Sequence, residues 1–464
     1  MLLRNLKLLA FSGLSFLCLF ASGKPAKPNM IVIMCDDLGY ADVGFNGCKD
    51  IPTPNIDSIA TNGVRFSNGY SAYPVCGPSR AGFITGRYPQ RFGFERNPQY
   101  QPDDPDMGLT RKEKTIAELL SPVGYHSGII GKWHLGAHIP TSHPMKRGFA
   151  EFYGHLGGGH KYMPEALVIK DSANAQGEAE SYRTWTMRNY APVRPRKYLT
   201  DEFSEEAVSF LERNKKKPFF LFLSYNAPHT PLEATEKYLK RFESIQDSKR
   251  RTYAAMVSAV DDGVGLILKS LIENGLDEKT IVVFLSDNGG PTTKNASRNA
   301  PLRGKKSDVW EGGYRVPFAI QWNGTLPGGK TYDFPVSSLD LAATIVALSG
   351  AKVPERKPLD GVNLLPFLLG KIKTPPHKTI YLRKFDQNRF AVRHGDYKII
   401  IPWKGGSPQL YDLKNDIAET TDVSSQYPAQ VIELDSLRKK WNSELVEPTF
   451  LGLIHLTRPG KKGK

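Results

Sequence analysis

Met30-Ile31-Val32-Ile33-Met34-Cys35-Asp36-Asp37 passes from an unbroken apolar run straight into two adjacent carboxylates. The run is too short for a core helix and lacks the alternation of a half-exposed strand, so it reads as a strand buried on both faces. The pattern recurs. Gly128-Ile129-Ile130 leads to Gly131-Lys132-Trp133-His134, and Phe219-Phe220-Leu221-Phe222-Leu223 leads to Ser224-Tyr225-Asn226-Ala227-Pro228-His229. Thr280-Ile281-Val282-Val283-Phe284-Leu285 leads to Ser286-Asp287-Asn288-Gly289-Gly290, and Val316-Pro317-Phe318-Ala319-Ile320 is a further apolar run. Amphipathic stretches at 115–120, 203–213, 253–274 and 339–349 separate them. The alternation predicts an α/β fold: a large, mostly parallel sheet sandwiched by helices. In such sheets ligands bind beyond the carboxyl ends of strands. Four strands here deliver charged or metal-binding groups to that edge.

With 464 residues and 40% hydrophobic content, the chain can form one large α/β domain and a smaller one. Arg4 and Lys7 precede an apolar run from Leu8 to Phe20, too short to span a bilayer comfortably, and Ala21-Ser22-Gly23 offers small residues for cleavage. Residues 1–23 therefore read as a secretory signal peptide. No later segment is long and apolar enough for a membrane helix. The expected mature protein is exported, periplasmic or secreted, without a transmembrane anchor. The large domain is expected over 24–372. Lys371-Ile372-Lys373-Thr374-Pro375-Pro376 reads as a linker to a small domain over 373–464. There, 389–393, 397–401 and 409–413 read as short antiparallel strands, followed by a helical stretch at 428–444. Loss of the leader leaves Cys35, Cys48 and Cys76. Cys35 fits the core, and a Cys35–Cys48 bridge stays open. The formal net charge of +15 suits a polyanionic partner. Nucleic acid is not expected, because no zinc-finger, RRM or helix-turn-helix pattern accompanies the charge.

Asp36, Asp37, Asp287 and Asn288 are hard oxygen ligands, which point to calcium or magnesium rather than zinc. Adjacent carboxylates repel and call for a cation or basic partners. Taken alone, Asp36-Asp37 also fits a turn or helix cap. Tyr73-Pro74-Val75-Cys76-Gly77-Pro78-Ser79-Arg80 continues to Thr85-Gly86-Arg87. A lone cysteine in such a turn is commonly just buried.

The pattern Cys-x-Pro-Ser-Arg followed by Thr-Gly-Arg resembles the maturation signature of the formylglycine-dependent (type I) sulfatases, of the alkaline-phosphatase-like superfamily. Gly131-Lys132-Trp133-His134-Leu135-Gly136 resembles their second signature. The preceding Gly124-Tyr125-His126-Ser127 departs mildly, with Ser127 where the family commonly has Thr. Ala227-Pro228-His229-Thr230-Pro231 resembles the segment carrying a histidine near the leaving oxygen; alone, His229 also fits a structural loop. Gly304-Lys305-Lys306-Ser307-Asp308-Val309-Trp310-Glu311-Gly312-Gly313 resembles the late lysine segment, and the family's spacing to Glu-Gly-Gly selects Lys306 over Lys305. Arg393-His394-Gly395-Asp396-Tyr397-Lys398 and Leu410-Tyr411-Asp412-Leu413 resemble the family's small domain. The matches follow the family's order and cover nearly all of the mature chain.

The resemblance implies an alkaline-phosphatase-like fold and a sulfuric ester hydrolase of the carbohydrate-sulfatase branch. It implies that a maturation enzyme converts Cys76 to formylglycine, whose hydrate is the nucleophile. Asp36, Asp37, Asp287, Asn288 and the residue at position 76 are then the ligands of calcium, with magnesium the second choice. Arg80 and Lys132 hold the sulfate and nucleophile, His134 contacts the formylglycine hydroxyl, and His229 and Lys306 serve the leaving oxygen. The segment 149–160 resembles a loop near the substrate in carbohydrate sulfatases. His160 is its candidate substrate contact, although capping a Gly-rich turn explains it as well. Arg298, with Arg91 and Arg96, is a candidate for further sulfates, against plain surface charge. The expected substrate is a sulfated glycan, first an algal galactan such as carrageenan, second a glycosaminoglycan fragment. Phosphonate or phosphodiester hydrolysis on the same fold, and an inert polyanion-binding protein, are the alternatives.

Overall fold

The structure is a computed structural model that describes residues 27–164, 185–402 and 406–455. The expected leader at 1–23 and the tail from Pro459 lie outside the described residues. In chain order the strands are β1 (Asn29–Cys35), β2 (Val64–Phe66), β3 (Gly69–Tyr70), β4 (His126–Lys132), β5 (Glu151–His155), β6 (Thr186–Arg188), β7 (Ala191–Val193) and β8 (Phe219–Ser224). They continue with β9 (Thr280–Ser286), β10 (Phe318–Gln321), β11 (Lys330–Tyr332), β12 (Val336–Ser337), β13 (Thr379–Lys384), β14 (Arg389–His394), β15 (Tyr397–Pro402) and β16 (Gln409–Asp412). Ten of them form one sheet in the order β11-β2-β10-β9-β1-β8-β4-β5-β6-β7. Its centre, β9-β1-β8-β4-β5, is parallel throughout. β10 and β6 join antiparallel on either side.

Every residue of β1, β8 and β9 is buried. Alternate side chains enter two different cores. Ile31, Ile33 and Cys35 of β1 face one layer, with helices Pro54–Thr61, Leu199–Asn214 and Ser248–Glu273 against it. Met30, Val32 and Met34 face the other, with Ala81, Phe83 and Ile84 of Cys76–Thr85, Ile116–Leu120 and Leu339–Ser349. Apolar demand on both faces is why these strands read as unbroken runs. The long helix begins five residues before the expected 253 because Asp247 caps it, accepting from the amides of Lys249 and Arg250.

The second sheet, β13-β14-β15-β16, is antiparallel and carries helix Pro428–Asn442. β13 was not among the expected strands. Its Arg383 and Lys384 are buried, and only tertiary contacts make basic residues tolerable there. A buried ion cluster ties the small sheet to the 304–313 segment. Lys398 Nζ of β15 lies 2.9 Å from Glu311 Oε1 and 2.7 Å from Glu419 Oε1, with all three side chains fully buried. The Glu311 amide donates to Glu419 Oε2 at 2.7 Å, and the Tyr70 hydroxyl donates to Glu311 Oε2 at 2.6 Å. Lys398→Met leaves two buried carboxylates sharing no ammonium. It is expected to cost about 3–5 kcal/mol in denaturant unfolding; a loss near zero would show that the cluster does not hold the two sheets together.

Candidate active site

Because the central strands are parallel, their carboxyl ends share one edge. β1 hands over Asp36 and Asp37, β4 ends on Lys132, β8 leads to His229, and β9 leads to Asp287 and Asn288. Extended backbone sends consecutive side chains to opposite faces. Asp37 breaks that rule with a left-handed φ of 65°, and both carboxylates reach the same cavity. Helix Cys76–Thr85 starts at the cavity with Cys76. Its second amide, Gly77 N, donates to Asn97 Oδ1 at 2.9 Å. Arg80 follows one turn later on the same helix face. Its Nε and Nη2 donate to Asp287 Oδ2 at 3.0 and 2.8 Å, and its Nη1 donates to Ser224 Oγ.

The ligand atoms of Asp36, Asp37, Cys76 and Asp287 all lie within 4.8 Å of one another. Asn288 Nδ2 donates to Asp37 Oδ1 at 2.7 Å, while its buried Oδ1 has no hydrogen-bond partner among the described residues. Three buried carboxylates and a spare amide oxygen fit a hard divalent cation. Around them stand three cations, Arg80, Lys132 and Lys306. Lys132 Nζ is 2.5 Å from Asp36 Oδ2. Lys306 Nζ is 2.7 Å from Asp37 Oδ1 and donates to Cys76 Sγ at 3.0 Å. The Cys76 thiol donates to Asp36 Oδ1 at 3.3 Å. His229 Nδ1 donates to Thr230 O at 2.6 Å, and its Nε2 lies 3.6 Å from Asp37 Oδ2.

The cavity perturbs its own titration. Burial pushes the Asp36 carboxyl up, but Lys132, His229, Arg80 and Lys306 outweigh it and hold the group well below the usual carboxylate range. Burial, then the Asp36 charge, push Asp287 up to about 7 against Arg80 and Lys132. Burial and Asp36 raise the Cys76 thiol far above its ordinary value, so the coded side chain is no thiolate. Burial, Lys132 and Arg80 hold His134 well below an ordinary imidazole. His134 has a φ of 58°, and neither ring nitrogen has a partner among the described residues. Gly158 lies flat against it: a Cβ there would fall 2.5 Å from His134 Nε2.

This arrangement has close counterparts. A family model described as Sulfatase matches residues 28–351, and one described as N-sulphoglucosamine sulphohydrolase, C-terminal, matches 305–446. The chain belongs to the sulfatase family. It is 35% identical to N-acetylgalactosamine-6-sulfatase of Mus musculus over 404 residues, which span 83% of this chain and 74% of the relative. The crystal structure of Ps i-CgsB in complex with k-i-k-neocarrahexaose superposes with a TM-score of 0.84 at 40% identity, covering 92% of this chain and 95% of that one. That of the PsFucS1 sulfatase from Pseudoalteromonas sp. gives 0.76 at 28% identity, covering 90% of each. The family, the fold and the activity class agree: this is an α/β sulfuric ester hydrolase of the alkaline-phosphatase-like superfamily.

His160 and the three candidate arginines have partners outside the carboxylate cluster. His160 lies beside His155 with ring centroids 4.9 Å apart and planes tilted by 41°, and its Nδ1 donates to Lys161 O at 2.8 Å. Arg298 sends its guanidinium to Asp50 at 2.9 Å. Arg91 pairs with Asp360 and Glu444, and Arg96 with Asp386. Cys35 and Cys48 are free thiols. Sequence reasoning missed Ser224 and Asn97, which position Arg80 and the start of the Cys76 helix. Ser224 was quoted at its strand end, but nothing local marks its partner; Asn97 carries no signal at all.

Two measurements probe this site. Calcium added to EDTA-stripped protein at about a hundred times its dissociation constant is expected to stabilise by about 2.7 kcal/mol. The isosteric Asp37→Asn should blunt that rise in Tm, and no shift in the parent protein would mean that the cluster binds no cation. Gly158→Ala should displace the His134 ring rather than the backbone. Sulfate release should fall by roughly tenfold or more with Tm nearly unchanged; full activity would detach His134 from the reaction.

Proposed function

We propose that this sulfatase removes sulfate from a carrageenan-type galactan with a formylglycine hydrate at position 76. One observation carries the reading. The side chain of residue 76 sits among the clustered carboxylates, 3.3 Å from Asp36 and 3.0 Å from Lys306, in a cavity where a thiol stays protonated. Oxidation by a maturation enzyme replaces the soft sulfur with oxygen, and Asp36, Asp37, Asp287, Asn288 and residue 76 then form an all-oxygen set suited to calcium. Calcium held by those residues would supply positive charge for the nucleophile and the anionic ester. Three carboxylates balance Arg80, Lys132 and Lys306, so the dication leaves the pocket positive, as an anionic ester requires.

In the reaction, one hydroxyl oxygen of the geminal diol attacks sulfur and passes its proton to a carboxylate of the cluster, with Asp36 the acceptor nearest residue 76, while Lys132 and Arg80 hold the nucleophile and sulfate. The bond from sulfur to the ester oxygen breaks, and Lys306 or His229 delivers a proton to the departing alcohol. The sulfate is now an ester of residue 76, a covalent intermediate. Neutral His134 accepts the proton of the second hydroxyl. The carbon–oxygen bond to sulfate breaks, the aldehyde returns, and water rehydrates it. Residues 1–23 as a leader fit export to a compartment that holds such polysaccharides.

The neocarrahexaose complex of Ps i-CgsB supports the galactan. The match to N-acetylgalactosamine-6-sulfatase supports glycosaminoglycan fragments as the second reading. The phosphonate monoester hydrolase of Agrobacterium radiobacter, at 20% identity, shares the fold alone. The test is sulfate release from defined carrageenan and glycosaminoglycan oligosaccharides by protein co-expressed with a maturation enzyme, alongside peptide mass across residue 76. Release from carrageenan with the aldehyde present, lost in Cys76→Ala, is expected. Full activity in protein whose residue 76 is wholly an intact thiol would sink the nucleophile, and exclusive action on glycosaminoglycans would move the substrate.

A further inference from the structure

Buried lysines need acids. Lys132 has Asp36 at 2.5 Å, and Lys398 has Glu311 and Glu419 at 2.9 and 2.7 Å. Lys384, the last residue of β13, is 7% exposed and has none. Among the described residues its ammonium makes no ion pair and no hydrogen bond. The acids around it are already engaged. Glu95 takes Arg383 Nε at 2.9 Å, and Asp386 takes Arg96 Nη2 at 2.7 Å, with His455 Nε2 at 3.9 Å. Asp308 accepts from the Lys305 amide at 3.0 Å. Burial pulls the Lys384 ammonium down to about 8, only partly opposed by Asp386, Glu95 and Asp308. The ammonium lies over the face of Tyr73, with Nζ 5.3 Å from the ring centroid. A cation over a ring leaves the N–H donors of the ammonium without acceptors.

The position of this charge matters. Tyr73 stands three residues before Cys76, within roughly 10 Å of chain. Gln387 Nε2, three residues past Lys384, donates to Ser307 O at 2.9 Å, and the Ser307 amide donates to Pro74 O at 2.8 Å. The segments carrying residue 76 and Lys306 are thus pinned to the end of β13. The small sheet thus brings an unpaired cation against the segment that leads into residue 76.

We propose that Lys384 is a subsite for a second anionic group of the substrate, a sulfate ester on the sugar adjoining the one desulfated. The inference rests on the carbohydrate-sulfatase reading above. A sulfate supplies several acceptor oxygens and the missing counter-charge, and the Tyr73 face fixes the ammonium beneath it. Glycans with regularly repeated sulfates then bind better than singly sulfated ones, with no effect on the bond-breaking groups.

The test uses the matured full chain and two substrates: a neocarrahexaose sulfated on every disaccharide and a neocarrabiose with a single sulfate. Lys384→Met is expected to raise KM for the hexaose about tenfold or more, with kcat and the neocarrabiose constants essentially unchanged. Lys384→Arg should restore the hexaose KM, and the penalty should shrink as salt is added. Because the removed charge has no partner, Tm should not fall. Equal losses on both sugars, no loss on the hexaose, or a lowered Tm with general loss of activity each overturn the subsite. If the parent enzyme releases sulfate from neither sugar, the substrate reading fails, and the subsite is read by calorimetric titration with a fully sulfated heparin hexasaccharide. Roughly tenfold weaker binding by Lys384→Met supports it; equal affinity overturns it.

Discussion

Three carboxylates cannot share a dry cavity unless positive charge sits among them. Asp36, Asp37 and Asp287 converge with almost no solvent to screen them, and each is met by a cation: Lys132 on Asp36, Lys306 on Asp37, Arg80 on Asp287. These contacts are short and desolvated, so losing one partner is costly. The rest of the architecture serves this balance. The parallel sheet supplies the acids, one helix turn supplies residue 76 and Arg80 together, and the 304–313 segment closes the cavity with Lys306. A neutralised site also explains why a further dication, and then an anionic ester, are welcome.

The second sheet is part of the same machine. It grips the Lys306 segment through Lys398, Glu311 and Glu419, the Gln387 side chain just beyond β13 donates to Ser307 O of that same segment, and Lys384 touches the loop before residue 76 at Tyr73. Charge that a soluble surface would display is here turned inward. Part of the formal excess of +15 is therefore local: Arg80, Lys132, Lys384 and Lys398 are all buried, and three of them are tied to acids far away in sequence.

The strands that bury both faces were legible because their composition has no polar interruption, and the groups after them were legible because hydrolytic chemistry uses few residue types. Helix Ser248–Glu273 was legible in its body but not in its first turn, where the Asp247 cap decides the start. β13 was not legible. Thr379-Ile380-Tyr381-Leu382-Arg383-Lys384 looks amphipathic, yet Arg383 turns inward to Glu95, nearly three hundred positions earlier in the chain. Arg91, Arg96 and Arg298 pair with Asp360, Asp386 and Asp50. Whether an arginine is free depends on distant acids, which no local pattern encodes.

By itself, the sequence determined the fold class, the family, and which side chains could meet at the carboxyl edge of a parallel sheet, since these follow from hydrophobic periodicity and from motif spacing along the chain. The tertiary structure alone decided which cations are spent on which acids. It turned Asp37 to bring two neighbouring carboxylates into one cavity, laid Gly158 against His134, and left Lys384 buried without an acid. The reason is that electrostatic energy depends on separation and solvent exclusion, and both are set only when segments hundreds of residues apart pack together.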